Sequence, residues 1–234
     1  ARVVKRYTRI LEVAMPFRAW RFKSSPAHNM KYIDLSHVFD NGMPVYPGDP
    51  TPEIIQTAEL SKAGYNDYQV KTGMHVGTHI DAPLHMIEGG RRISEISLDR
   101  FSGNGHLIDA QGVSHVGPEL LEGKPIKKGD VVLVMTGFSL KYRHPDYYEK
   151  YPEITEAFAR RLVELGAGII GSDTPSPDRP PFNVHKILLG NGILIIENLI
   201  NLKALVGVKD FSVSAFPPRY RTEAAPVRVV AVVD

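Results

Sequence analysis

The segment His75-Val76-Gly77-Thr78-His79-Ile80-Asp81-Ala82-Pro83-Leu84-His85 puts four groups able to bind a metal or carry a proton into 11 residues. Their separations of four, two and four residues restrict the backbone severely. Two ligands of one ion each lie roughly 2.0–2.2 Å from it, so their side chains must converge. A fully extended strand would hold the Cα atoms of His75 and His79 about 13 Å apart. A regular helix would bring them together, but Gly77, Thr78, Ile80 and Pro83 are poor helix formers. A tight, curled loop is the remaining solution, with Gly77 free to take dihedrals that other residues avoid. His79 and Asp81, two apart, then project to one side. A lone histidine is ordinarily structural or solvated. Three of the chain's nine histidines beside an aspartate in one window predict a metal centre.

Composition narrows what can hold such a centre. The chain has no cysteine, so thiolate ligands and disulfides are excluded and any ion must sit on histidine, carboxylate or backbone. Its 234 residues suit one large domain and leave little room for two cores. No apolar run approaches the roughly 20 residues needed to span a bilayer. Ile187–Ile200 is broken by Gly190, Asn191, Gly192, Glu197 and Asn198 and reads as core. A cytoplasmic protein with no membrane partner is expected. The net charge of +2 is unevenly placed: residues 1–29 hold seven basic side chains against Glu12, which leaves the remainder at −4. That mildly acidic body offers no basic face for nucleic acid.

The Arg-rich stretch 1–29 ends in Ser24-Ser25-Pro26 and differs from all that follows. It reads as a transit-like presequence, a surface arm that docks on a partner, or an artefact of where the reading frame opens. An appended segment outside a domain of residues 30–234 is expected. Within that domain Met30–Leu35 suggests a first strand, and Gly42–Pro50 an extended loop stiffened by proline and glycine. Ile54–Leu60, Asp67–Thr72, His106–Asp109, Val131–Thr136, Ala167–Ser172 and Val229–Val233 read as strands. Thr155–Leu165, with Phe158, Leu162 and Leu165 between charges and Gly166 as a stop, reads as an amphipathic helix. The class is α/β or α+β.

The motif His-x-Gly-Thr-His-x-Asp-x-Pro-x-His resembles the signature of the cyclase family of metal hydrolases, which includes bacterial kynurenine formamidases and isatin hydrolases. Gly42-Met43-Pro44-Val45-Tyr46-Pro47-Gly48-Asp49 is similar to a second family block, and Gly171-Ser172-Asp173-Thr174-Pro175-Ser176 to a third. His185 and Glu197, twelve residues apart, also have the family's spacing. The resemblance runs from about Lys31 to Asp234. It implies an α/β fold, a swivelling β/β/α-type single domain with a partly barrel-like sheet, assembled as a homodimer or higher oligomer. It also implies two Zn²⁺ ions in formamidase-type members, or Mn²⁺ as in isatin hydrolases. By that resemblance His75, His79 and Asp81 hold one ion, and Asp81 bridges to a second completed by His185 and Glu197. His85 is implied as general acid/base, and Tyr46 as an aromatic of the substrate pocket. Tyr46 departs from the tryptophan that the kynurenine enzymes often carry there.

Elementary chemistry agrees with those roles. A carboxylate has two oxygens and can bridge two ions, whereas a neutral imidazole offers one lone pair. Glu197 ends the otherwise apolar Ile193–Glu197, where an unpaired carboxylate is costly to bury; its other reading is a strand-end surface residue. His85, with an ordinary pKa near 6.5, suits proton transfer at neutral pH. The leading expectation is hydrolysis of a small amide or formamide, N-formylkynurenine to kynurenine plus formate. Opening of isatin or another cyclic amide uses the same site. A non-catalytic metal or small-ligand binding protein is the third reading. Structural sites are closed by about four protein ligands, and the surplus imidazole of His85 favours catalysis. His/carboxylate sites accept zinc, manganese, iron or cobalt alike. Asp173 is as readily a turn cap as a functional group, and Tyr142–Tyr151, with His144, could cover a pocket but reads more readily as a plain surface helix. His28, His37, His106 and His115 lack ligand-like spacing, and no serine has a nucleophile-elbow context.

Overall fold

Every residue of Val131–Met135 is buried, as a strand covered on both faces requires. In the computed structural model, which describes residues 30–233, this run is β7 of thirteen strands among the described residues. Before it come β1 (Lys31–Asp34), β2 (Glu53–Ala58), β3 (Asp67–Lys71), β4 (His79–Asp81), β5 (Ser102–Asp109) and β6 (His115–Val116). After it come β8 (Glu153–Ile154), β9 (Ile169–Ser172), β10 (Leu194–Glu197), β11 (Phe211–Ser214), β12 (Ala224–Pro226) and β13 (Val230–Val233). The helices are α1 (Leu60–Ala63), α2 (Glu156–Leu165) and α3 (Asn183–Gly190), with short 3₁₀ turns between elements.

Nine strands form one sheet in the order β1-β13-β11-β5-β7-β9-β10-β4-β12. The central four, β5, β7, β9 and β10, run parallel. Antiparallel strands extend the sheet on both flanks. The sheet curls into a half-barrel, a single mixed α/β domain of the architecture expected. Strand alternation splits the core in two. Val131, Leu133 and Met135 join Ile80, Leu194, Ile196 and Val213 on one face. Val132 and Val134 join Ile170 and Ile195 on the other, under Phe158 and Leu162 of α2 and Val184, Leu188 and Leu189 of α3.

Helix α2 follows its sequence signals: Thr155 Oγ1 caps it by accepting from the Phe158 N–H, and Gly166 ends it at φ 75°. The metal window divides differently from expectation. Met74–Thr78 bends as a loop, with Gly77 at φ 64°, but His79–Asp81 is a strand. Its backbone pairs with β10 on one side and β12 on the other, which only an extended chain satisfies. Tyr142–Tyr151 forms turns rather than a surface helix. Pro145 disfavours helical dihedrals at His144, and Tyr142, Tyr147 and Tyr151 are instead buried with Met43, Val76 and Phe138. Residues 1–29, the expected appended segment, lie outside the described residues. No helix among the described residues is long and apolar enough to cross a membrane.

Candidate metal centre

Register brings the ligand types together. His79 lies opposite Glu197 in the β4–β10 pairing, and Asp81 opposite Ile195. Ile80 and Ile196, between them, fill the core on the opposite face. His79, Asp81 and Glu197 therefore share the face on which α3 packs, and α3 carries His185. The loop before β4 supplies His75, and the 3₁₀ turn Pro83–His85 after it supplies His85. Gly90 fixes that turn: a Cβ there would stand 2.6 Å from the Pro83 carbonyl carbon.

The distances describe one cluster. His75 Nδ1 is 3.1 Å from Asp81 Oδ1, and His79 Nε2 is 3.6 Å from the same oxygen. Glu197 spans two imidazoles, with Oε2 3.3 Å from His79 Nε2 and Oε1 3.3 Å from His185 Nε2. The His85 ring is 4.2 Å from that of His75 and 5.7 Å from that of His185. Ligand atoms of His75, His79 and Asp81 converge within 4.8 Å, as do those of Asp81, His85 and His185. Five of the predicted site residues and His85 thus meet in one place, and His85 stands where it could ligate.

Burial makes this arrangement costly without a cation. Asp81, His79, His185 and Glu197 are all 6% exposed or less. Both Asp81 oxygens and His79 Nε2 have no hydrogen-bond partner among the described residues. Each such atom costs about 1–3 kcal/mol. Three converging on one point, all of metal-ligand type, fit a divalent ion. The electrostatics agree. Burial opposes ionisation of Asp81 and Glu197, yet the facing imidazoles hold both carboxyls below their usual range. Burial likewise disfavours charge on His79 and His185, but Asp81 and Glu197 raise the first, and Asp178 and Glu197 raise the second. The carboxylates thus draw positive charge to this point, from imidazole protons or from a cation.

Sequence reasoning missed the residues that hold the imidazoles from outside. His79 Nδ1 donates to the Gly77 carbonyl at 2.8 Å. His185 Nδ1 donates to Asp178 Oδ1 at 2.5 Å. His75 Nε2 faces Glu223 Oε1 at 3.5 Å. The ring nitrogens of His85 have no hydrogen-bond partner among the described residues. Only the spacing-independent presence of acids near a histidine-rich site hints at Asp178 and Glu223, which is why neither stood out. Asp173 is a tie between strands: its oxygens accept from the N–H groups of Thr136 and Gly137 and the Thr136 hydroxyl.

A cavity of about 290 Å³ opens onto the cluster, lined by Tyr46, His75, His85, Tyr148, Phe182 and Glu197 among others. Tyr46 is 40% exposed at its mouth and meets Tyr148 edge-on at 5.7 Å. Phe182 and Asn198, both lining residues, hold left-handed backbones at φ 59° and 57°. Larger clefts of about 670 and 790 Å³ elsewhere carry no convergent ligand group among the described residues.

Comparison with known proteins gives concordant results. The model of the Cyclase family matches residues 33–179. A kynurenine formamidase of Bacillus cereus is 27% identical over 205 residues, which cover 86% of this chain and 96% of that protein. Isatin hydrolase A of Labrenzia aggregata, solved with benzyl benzoate bound, superposes with TM-score 0.79 at 26% identity, covering 87% of this chain and 94% of its own. A structure described as a potential metal-dependent hydrolase with cyclase activity superposes with TM-score 0.72 at 30% identity, covering 88% and 98%.

Proposed function

The chain belongs to the Cyclase family, and on that premise we propose that it is a metal-dependent hydrolase of a small aryl formamide or amide, with N-formylkynurenine the leading substrate. The observation that carries this reading is the set of buried, unpartnered ligand atoms on His79 and Asp81, at the end of a small aromatic-walled cavity. His75, His79 and Asp81 would hold one ion, and Asp81, His185 and Glu197 a second, of Zn²⁺ or Mn²⁺ type. Such ions polarise a carbonyl and acidify water.

The chain's own residues do the rest. Tyr46, Tyr148 and Phe182 seat the aryl ring and exclude solvent from the scissile bond. His85 takes the proton from attacking water and returns it to the nitrogen as the carbon–nitrogen bond breaks, giving the acid and the free amine. Burial keeps the pKa of His85 below its ordinary 6.5; Asp81 opposes this, and the neighbouring His75 and His185 reinforce it. The imidazole is thus neutral and ready to accept at pH 7. His79 and His185 each have an outer hydrogen-bond acceptor and His85 has none, which supports a proton carrier rather than a further ligand. The likeness to an isatin hydrolase favours a second reading, cyclic amide opening at the same site. We also propose a homodimer, on the exposed apolar hairpin considered below.

His85→Ala tests the assignment. Metal content and melting temperature should stay near wild type while turnover falls by roughly 10²–10⁴. Loss of metal from the variant would make His85 a ligand. N-formylkynurenine, formanilide and isatin should be assayed together: turnover of isatin alone selects the second reading, and turnover of none defeats the substrate assignment.

A further inference from the structure

Asp178 is a buried carboxylate, 6% exposed, whose two oxygens do different things. Oδ2 accepts from the Val184 N–H at 2.7 Å, in the first turn of α3. The residue at the helix start, Phe182, offers no side-chain cap, so Asp178 supplies one from four residues upstream. Oδ1 accepts from His185 Nδ1 at 2.5 Å. On the far side of that ring, Nε2 faces Glu197 Oε1 at 3.3 Å, inside the cluster.

We propose that Asp178 is a positioning residue that fixes which nitrogen of His185 is offered to a metal ion. The proposal rests on the reading of His185 as a ligand given above. A neutral imidazole carries one proton, on either nitrogen. A carboxylate can only accept, so Oδ1 holds that proton on Nδ1 and leaves the Nε2 lone pair aimed into the cluster. The same side chain fixes the backbone of the turn that bears the ring, so rotation and tautomer are set together. Outer carboxylates on ligand imidazoles raise their basicity and restrict their orientation.

A purely structural role, as helix cap, makes a different prediction. In Asp178→Asn the amide oxygen still accepts from the Val184 N–H, so the cap survives. Its NH₂ then faces His185 Nδ1, which must become an acceptor, and the proton moves to Nε2, where it blocks ligation. The test titrates the full-length protein with Zn²⁺ against a chromogenic chelator, with no substrate present. Asp178→Asn should weaken one binding event by 10–100-fold, in a metal-free protein that still unfolds cooperatively. Asp178→Glu should recover part of the affinity. In a His185→Ala background, Asp178→Asn should add no further loss. Zn²⁺ affinity of Asp178→Asn within twofold of wild type overturns the proposal, as does an equal loss with and without His185. If Asp178→Asn does not fold, Asp178→Ser, which keeps an acceptor for the cap and removes the charge, makes the same comparison. A His185→Ala protein that binds Zn²⁺ like wild type removes the premise, whereas failure of every substrate leaves the Asp178 result standing.

Discussion

The imidazole of His37 stacks on Tyr142 with 3.6 Å between ring centroids, and its backbone N–H donates to Thr78 Oγ1 at 2.9 Å. Thr78 in turn donates to the Asn198 carbonyl at 2.6 Å, tying the loop that carries His75 to the end of β10. Burial and then the Arg143 cation lower the pKa of His37 from 6.5 to about 4. The folded protein therefore binds fewer protons here than the unfolded chain between those values. Its contribution to stability is complete above pH 6.5 and is lost as pH falls toward 4. His37→Phe keeps the stack and removes the titration. The loss of unfolding free energy between pH 7 and pH 5 should be smaller in the variant, measured by urea denaturation with chelator present in both. An equal loss in the two proteins would show that His37 does not titrate in the fold. At this scale the sequence was partly legible. His75, His79 and Asp81 declared themselves by density in one window. His185 stood out only through the family resemblance, and Glu197 through that and through its place at the end of an apolar run. His37, Asp178 and Glu223 were hidden because a supporting contact needs proximity in space and leaves no pattern along the chain.

Strand β7 and helix α2 were readable from their own residues, since a five-residue apolar run and a capped amphipathic turn each have a single good solution. Helix α3 was not. It is short, follows Pro180-Pro181, starts at a left-handed Phe182, and takes its cap from Asp178 rather than from an adjacent Ser, Thr, Asp or Asn. Its apolar residues merged in the sequence with the strand that follows. Strand β4 was obscured for another reason: three residues are too few for a periodic signal, and its extended form is imposed by partners on both sides. The dependence of the site on α3 has a measurable consequence. Leu188 is fully buried in the layer between α3 and the sheet, one helical turn from His185. Leu188→Ala should cost about 2–5 kcal/mol of stability and weaken Zn²⁺ binding by loosening the seat of His185. A variant that loses stability but binds Zn²⁺ as wild type would show that the His185 position survives repacking of the helix.

For the molecule as a whole, the β2–β3 hairpin stands apart from the curled sheet. All of β3 is exposed, and Ile55, Tyr68 and Val70 turn 45–57% of their surface to solvent. A two-stranded hairpin is marginal in water unless something covers it. Beside it the cleft of about 790 Å³ is lined by Ile54, Val70, Phe216, Tyr220 and Val227. A second copy covering this face is the proposed homodimer. Light scattering at tens of micromolar should give twice the chain mass, and Tyr68→Glu with Val70→Asp should return the protein to single chains. A wild-type monomer under those conditions would remove the dimer. The seating of β4 between β10 and β12 has a further consequence, for how the protein is made. His79 and Asp81 leave the ribosome well before the strands that flank them, and Glu197 and Glu223 come much later in synthesis. A nascent chain can show a passing ion only the groups of the His75–His85 segment, on backbone that has not yet found its neighbours. Full occupancy of the proposed metal site would therefore be one of the last events of biogenesis, and cells starved of metal should accumulate finished, foldable chains rather than stalled ones.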